Sequence, residues 1–220
     1  VSNLSDPHKH GEVYRYGAAL EEATGVVILL HGRGASARDI LGLAPAIDLD
    51  ATSGKKLAFL APQAAGWEWY PMSFLAEREE NEPGLTSALR KVESVVDLGL
   101  AAGIPRERIV IGGFSQGACL TSEFAATHPA RWAGLIAFTG GLIGPLGSDV
   151  SQTGDMAGTP TLLLSGDPDP HVPWSRVEET AKVLRAMGAE VTLKRYPGKP
   201  HSVKADEVEL ARALIEKAFG

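Results

Sequence analysis

At 220 residues, with 44% hydrophobic and 22% charged side chains, the chain has a globular rather than a disordered composition, and its length predicts a single α/β domain. Its 21 basic and 27 acidic residues leave a net charge of −6 with no basic block, which argues against a nucleic-acid partner. No apolar run approaches the roughly 20 residues needed to span a bilayer, and the one cysteine, Cys119, excludes an internal disulfide framework.

Residues 1–10 are polar and interrupted by Pro7, the pattern of a mobile arm, and VSNLSDPHKHGEVYRY lacks the apolar stretch of a secretion signal. With the lone cysteine, this sets the expectation of a reducing, cytoplasmic location. Val13 to Tyr16 reads as an edge strand. Val26 to Leu30 is five consecutive apolar residues, as expected of a strand buried on both faces of a parallel sheet, and it runs into His31-Gly32-Arg33-Gly34. The two glycines let that loop turn sharply and present a backbone N–H. Ser36 is placed to cap a helix carrying Ile40, Leu41 and Leu43, expected to stop near Pro45. Leu57 to Leu60 is the next buried strand. Residues 63–84 then bring Trp67, Trp69, Tyr70 and Phe74 close to the acidic residues Glu77, Glu79, Glu80 and Glu82, and are read as a wall or flap over a site. Leu85, Leu89, Val92, Val96 and Leu100 recur at helical spacing up to Gly103.

Ile109-Val110-Ile111 enters Gly112-Gly113-Phe114-Ser115-Gln116-Gly117, and helix-forming residues continue to Thr127. A serine at such a strand–turn–helix junction is held in a strained backbone with its hydroxyl clear of the sheet, and the N–H of the next residue faces the same point. Trp132 to Phe138 is another strand, followed by Thr139 to Ile143 and a Gly/Ser-rich loop to Gly158. Thr161 to Leu164 leads to Ser165-Gly166-Asp167-Pro168-Asp169-Pro170-His171-Val172-Pro173. Val177 to Met187 is helical, Val191 to Tyr196 is a last strand ending in Pro197-Gly198-Lys199-Pro200-His201, and an amphipathic helix runs from about Val203 to Phe219. Strands alternating with helices predict an α/β fold, a mostly parallel sheet with helices on both faces. Four loops, at His31 to Gly34, Ser115, Asp167 to Asp169 and Pro197 to His201, then open on one edge.

A serine hydroxyl needs an imidazole base, itself oriented by a carboxylate. The chain order Ser, Asp, His is that of α/β-hydrolases. HGRG, GGFSQGA, GDPDPHVP and GKPHS together resemble the motif set of the phospholipase/carboxylesterase family, which includes the acyl-protein thioesterases, over roughly Val26 to the C-terminus. The resemblance implies an α/β-hydrolase fold with Ser115 as nucleophile, His201 as general base and acid, and Asp169 as orienting carboxylate. It further implies that the backbone N–H groups of Arg33 and Gln116 bind the oxyanion, with Gly32, Gly34, Gly113 and Gly117 shaping the turns. Asp167 competes with Asp169, and the family pattern of an aspartate shortly before Val-Pro favours Asp169.

His8 and His10 fall on the arm, and His128 precedes Pro129; all three are read as solvated or capping. His31 is expected to hydrogen-bond within its loop. His171 stands where the family usually has an aliphatic residue, and is read as a part-exposed loop residue or a substrate contact. Cys119 reads as a small buried apolar side chain and Glu123 as solvated. Arg33, where many members of the family are apolar, is read either as a guanidinium drawing an anionic group to the mouth or as one lying in solvent or paired with Glu77 to Glu82. The substrate pocket is assigned to Trp69, Tyr70, Phe74, Gly141, Leu142 and His171. Neither metal-ligand spacing nor a nucleotide-binding glycine motif is present in the sequence, so no metal and no cofactor are expected. The activity implied is that of a serine carboxylesterase acting through an acyl-enzyme on small to medium acyl carboxylic esters or thioesters. The alternatives are a lysophospholipase or acyl-protein thioesterase with a longer groove and, from another class, a non-catalytic binding protein on a hydrolase scaffold. The partner expected is a small-molecule ester; a homodimer stays open.

Overall fold

The computed structural model of the protein describes residues 5–220. Each predicted apolar run becomes a strand: β1 (Val13–Gly17), β2 (Gly25–Leu30), β3 (Leu57–Pro62), β4 (Ile109–Phe114), β5 (Gly134–Phe138), β6 (Pro160–Asp167) and β7 (Glu190–Pro197). They form one seven-stranded sheet in the order β1-β3-β2-β4-β5-β6-β7. Only β1 is antiparallel, paired with β3; all other neighbours are parallel. β2, β3 and β5 are buried along their whole length, which explains why their sequences do not alternate. The edge strands β1 and β7 are polar and partly exposed.

The helices are α1 (Ala37–Leu41), α2 (Ala44–Ile47), α3 (Asp50–Ser53), α4 (Gly84–Ala101), α5 (Gln116–Thr127), α6 (Trp174–Ala186) and α7 (Ala205–Phe219). Alternate side chains of β2 divide the core. Val26, Ile28 and Leu30 pack with Val92 and Val96 of α4, Leu120 and Phe124 of α5, and Leu184 of α6. Val27 and Leu29 pack with Ile40, Ile47 and, from α7, Leu214, Ile215 and Phe219. Each fully buried Leu, Ile, Val or Phe contributes about 1.5–3 kcal/mol, so both layers are strongly held to the sheet.

Two expectations change here. Pro45 does not stop the first helix; α1 ends at Leu41, and Pro45 lies in the first turn of α2, where its missing N–H costs nothing. Residues 1–4 of the predicted arm lie outside the described residues, whereas Asp6 and His8 are held against the body, with Asp6 accepting from the Ser87 hydroxyl. His8 is only 2% exposed, donates its backbone N–H to Ser87 Oγ at 2.9 Å, and accepts the Ala65 N–H at Nδ1 at 3.0 Å. The 63–84 stretch, read as a wall or flap, is packed as a wall: Trp69, Tyr70 and Phe74 are buried, because the chain here turns its rings into the α4 side of the core.

The register sets the active edge. Phe114 pairs with Phe138, Leu30 with Gly113, and Asp167 with Pro197, so the loops after β2, β4, β6 and β7 leave the sheet side by side.

Candidate active site

Ser115 follows β4 with φ 55 and ψ −118, a left-handed conformation that costs a non-glycine residue about 1–3 kcal/mol. The turn is pinned by the Ser115 N–H donating to Phe138 O (3.0 Å) and the Cys119 N–H donating to Ser115 O (2.9 Å). Only glycine fits at either side. A Cβ on Gly113 would lie 2.5 Å from Gly117 O and 2.8 Å from Leu30 O, and one on Gly117 would collide with the Leu30 carbonyl. The close approach of helix α5 to β2 thus dictates the G-x-S-x-G spacing.

A continuous hydrogen-bond chain leads away from the serine. His201 Nε2 lies 2.8 Å from Ser115 Oγ, and its Nδ1 lies 2.8 Å from Asp169 Oδ2. A carboxylate only accepts, so Nδ1 carries the proton, Nε2 is the lone-pair nitrogen, and the serine hydroxyl donates to it. Asp169 is fixed in turn: its Oδ1 accepts the backbone N–H groups of His171 and Val172, both at 2.9 Å. Burial alone would push this carboxyl up, but the bonds from His201 and the two N–H groups outweigh it and hold it below the usual aspartate range. The His201 ring is flanked by Phe114 at 4.9 Å and, edge-on, by His171 at 4.8 Å between centroids. Asp167, the competitor, instead pairs with Arg195.

The loop carrying His201 is fastened by a residue that pattern reading passes over. Lys199 Nζ, fully buried, donates to both oxygens of the equally buried Glu207 at 2.7 and 2.8 Å, to Ser202 O at 3.0 Å and to Thr139 Oγ1 at 3.3 Å. Glu207 also accepts the Lys204 N–H at 2.8 Å where α7 begins. A lysine and a glutamate eight residues apart across a loop carry no recognisable spacing, and each alone reads as a surface charge.

Opposite the serine, the loop after β2 passes so close that a Cβ on Gly32 would come within 3.5 Å of Ser115 Cβ. Neither the Arg33 nor the Gln116 backbone N–H has a hydrogen-bond partner among the described residues. Both residues line the same cavity as Ser115, and an unpaired N–H in the first turn of a helix is a donor suited to an anion.

The serine opens into a cavity of about 540 Å³. Of the predicted pocket residues, Tyr70, Phe74 and His171 line it, with Met72, Phe114 and Val172 beside them. Trp69, Gly141 and Leu142 do not. Trp69 lies wholly beneath, its indole N–H donating to His31 O at 2.9 Å. Leu142 is drawn toward α6, where its N–H donates to Thr180 Oγ1 at 2.9 Å and its carbonyl accepts from Arg176 at 2.9 Å; a Cβ on Gly141 would meet the same hydroxyl at 2.8 Å. Met72, Phe114 and Val172 gave no sequence signal, since an apolar residue beside a motif looks like core.

Other polar expectations resolve as follows. His31 bonds within its loop as read, with Nδ1 donating to Gly32 O at 2.8 Å, so its Nε2 accepts the Ala64 N–H at 3.1 Å. Glu123 is not solvated: it is buried, paired with Arg78 at 2.5 Å and accepting the Ile143 N–H at 3.1 Å. Cys119 is buried, and burial pushes its thiol up to about 12, which keeps it from acting as a thiolate. Arg33 does not reach Glu77 to Glu82; it pairs with Glu68 at 2.6 Å. Among the described residues there is no metal-holding cluster of His, Cys, Asp and Glu, and no helix is long and apolar enough to cross a membrane.

Comparison with known proteins bears on this geometry. The profile of the family described as Phospholipase/Carboxylesterase matches residues 17–219. Acyl-protein thioesterase 1 of Schizosaccharomyces pombe is 30% identical over 218 residues, covering 90% of this chain and 92% of that protein. Its Neurospora crassa namesake is 30% identical over 216 residues, covering 87% and 85%. The match to acyl-protein thioesterase 1 of Gibberella zeae, 29% identical, takes in 64% of this chain and 60% of that protein. Among solved structures, a phospholipase/carboxylesterase from Dyadobacter fermentans is 41% identical with a TM-score of 0.88, covering 98% of this chain and 99% of that one.

Proposed function

The chain belongs to the phospholipase/carboxylesterase family of α/β-hydrolases, enzymes that hydrolyse esters, and on that premise we propose that it is a single-domain serine esterase cleaving small to medium acyl esters or thioesters through an acyl-enzyme. The observation that carries this reading is the unbroken hydrogen-bond chain from Ser115 through His201 to Asp169.

In this reading Ser115 Oγ attacks the carbonyl carbon while its proton passes to His201 Nε2. The Asp169 carboxylate, already accepting from Nδ1, stabilises the imidazolium so formed. Charge gathering on the carbonyl oxygen is met by the Arg33 and Gln116 N–H groups, each such donor being worth about 10²–10³ in rate. His201 then returns the proton to the departing alcohol or thiol, and water repeats the sequence to free the acid and restore the serine. No step requires a metal or a cofactor. The cavity of about 540 Å³ accommodates a short or medium acyl group. A longer-chain reading, as a lysophospholipase or protein deacylase, is favoured only by the names of the thioesterase relatives. The intact hydrogen-bond chain weighs against a non-catalytic scaffold.

Ser115→Ala is expected to abolish turnover of p-nitrophenyl acetate and butyrate, and labelling by a fluorophosphonate, with thermal unfolding little changed. A folded Ser115→Ala protein that still turns over ester would refute the assignment. An acyl series from acetate to palmitate separates the two substrate readings: a maximum at short chains supports the first, a maximum at palmitate the second.

A further inference from the structure

The side chain of Arg33 has no role in the chemistry just described, yet it is the most heavily bonded one at the cavity mouth. Nη1 donates to Glu68 Oε2 at 2.6 Å and to Pro71 O at 2.7 Å; Nη2 donates to Tyr70 O at 2.8 Å and to Met72 O at 2.6 Å. All four terminal N–H groups are thereby engaged, which leaves only the Nε–H of the guanidinium's five donors without a partner among the described residues. Gln116 reaches the same segment from the other side. Its Oε1 accepts the Trp69 N–H at 2.8 Å and its Nε2 donates to Tyr70 O at 2.8 Å. One carbonyl, that of Tyr70, therefore accepts from the side chains of both residues whose backbone N–H groups the esterase reading assigns to the oxyanion.

We propose that residues 68–72 are a brace for the oxyanion hole, and that the Arg33 and Gln116 side chains are positioning groups that fix their own backbone N–H groups through it. The proposal rests on the serine-esterase reading above. The loop after β2 shows where such a brace acts. Arg33 lies between Gly32 and Gly34, the latter with φ +74, and the peptide that carries its N–H is held within the loop only at its carbonyl, where Gly32 O accepts from His31 Nδ1 at 2.8 Å and from the Ala35 N–H at 3.2 Å. The Arg33 side chain adds an anchor outside the loop. Trp69 and Tyr70 are 0% and 2% exposed, the Trp69 indole is tied to His31 O, the Trp67 carbonyl accepts the Gly34 N–H at 2.8 Å, and the Met72 N–H donates to the buried Asn81 at 2.9 Å. A planar five-donor fork can bind carbonyls on successive residues at once, whereas a lysine ammonium at the end of a flexible stem cannot hold that orientation.

The test uses substitutions that leave the backbone donor in place. Arg33→Met should lower kcat for p-nitrophenyl acetate about tenfold or more, with KM changed by less than about twofold, because a donor displaced by a fraction of an ångström is lost mainly to the transition state. A trifluoromethyl ketone inhibitor, which builds the oxyanion on Ser115, should lose affinity by the same factor, while the acetate product binds as before. Arg33→Lys should regain only part of the loss. Glu68→Ala, on the exposed side of the brace, is the second variant should Arg33→Met not fold, and should move kcat and ketone affinity in the same direction by a smaller factor. Parent-like kcat and ketone affinity in a folded Arg33→Met protein, or in Glu68→Ala where that protein does not fold, would overturn the brace. Equal losses of ketone and acetate binding would do so too. Retained activity in Ser115→Ala strikes the esterase reading instead, so the two failures are distinguishable.

Discussion

Replacing Lys199 by methionine tests the buried ion pair beneath the His201 loop. Both partners are 0% exposed, and the ammonium shares its three N–H groups among four acceptors, two of them the Glu207 oxygens. Methionine matches the stem but leaves the Glu207 carboxylate in a dry site with only the Lys204 N–H at 2.8 Å to satisfy it. Removing one member of a buried pair costs about 3–5 kcal/mol, far more than the pair itself is worth, because the remaining charge is uncompensated. Against a typical total stability of about 5–15 kcal/mol that is a large share. At about 2–4 °C per kcal/mol for a chain of this size, the expected fall in Tm is about 6–20 °C. Urea unfolding followed by circular dichroism, with calorimetry for Tm, measures it. The double variant Lys199→Met/Glu207→Gln should recover most of the loss, since no charge is then stranded and the amide oxygen can still cap α7. A single variant within about 1 kcal/mol of the parent, or a double variant no better than the single, would refute the reasoning.

Asp169→Asn should leave the protein folded but reduce kcat about 10⁴-fold, since an amide can donate to Nδ1, favour the wrong imidazole tautomer and leave Nε2 unable to take the serine proton; stopped assays on p-nitrophenyl butyrate check it, and a loss below about tenfold would contradict it. Burial holds the His8 and His31 imidazoles below the ordinary value of 6.5. The unfolded chain therefore takes up these protons at higher pH than the folded one, so stability is complete above about pH 6.5 and declines as the pH falls, by up to about 1.4 kcal/mol per unit for each histidine. Urea unfolding across that range should show the decline, and His8→Gln should make it shallower.

The apolar runs and the glycine-flanked serine are local properties, and they were readable without coordinates. A five-residue apolar run such as Val26 to Leu30 has one stable home, between two helical layers, and a serine at this strand-to-helix turn admits only glycine two residues to either side. From these came the strands in chain order, the shared edge of the loops and the position of Ser115 along it, while Asp169 and His201 were implied by the resemblance of their motifs to those of the family. What the tertiary structure decided was the partner of the buried polar side chains. Glu123 and His8 read as solvated because nothing nearby in sequence bonds them; Arg78 and Trp69, which do, lie 45 and 61 residues away. Trp69 looked like a pocket wall for the same reason, until its indole N–H found the His31 carbonyl 38 residues back. Hydrogen bonds of this kind depend on which loops meet at the end of the sheet, and that is set by the packing of the whole chain rather than by any window of it.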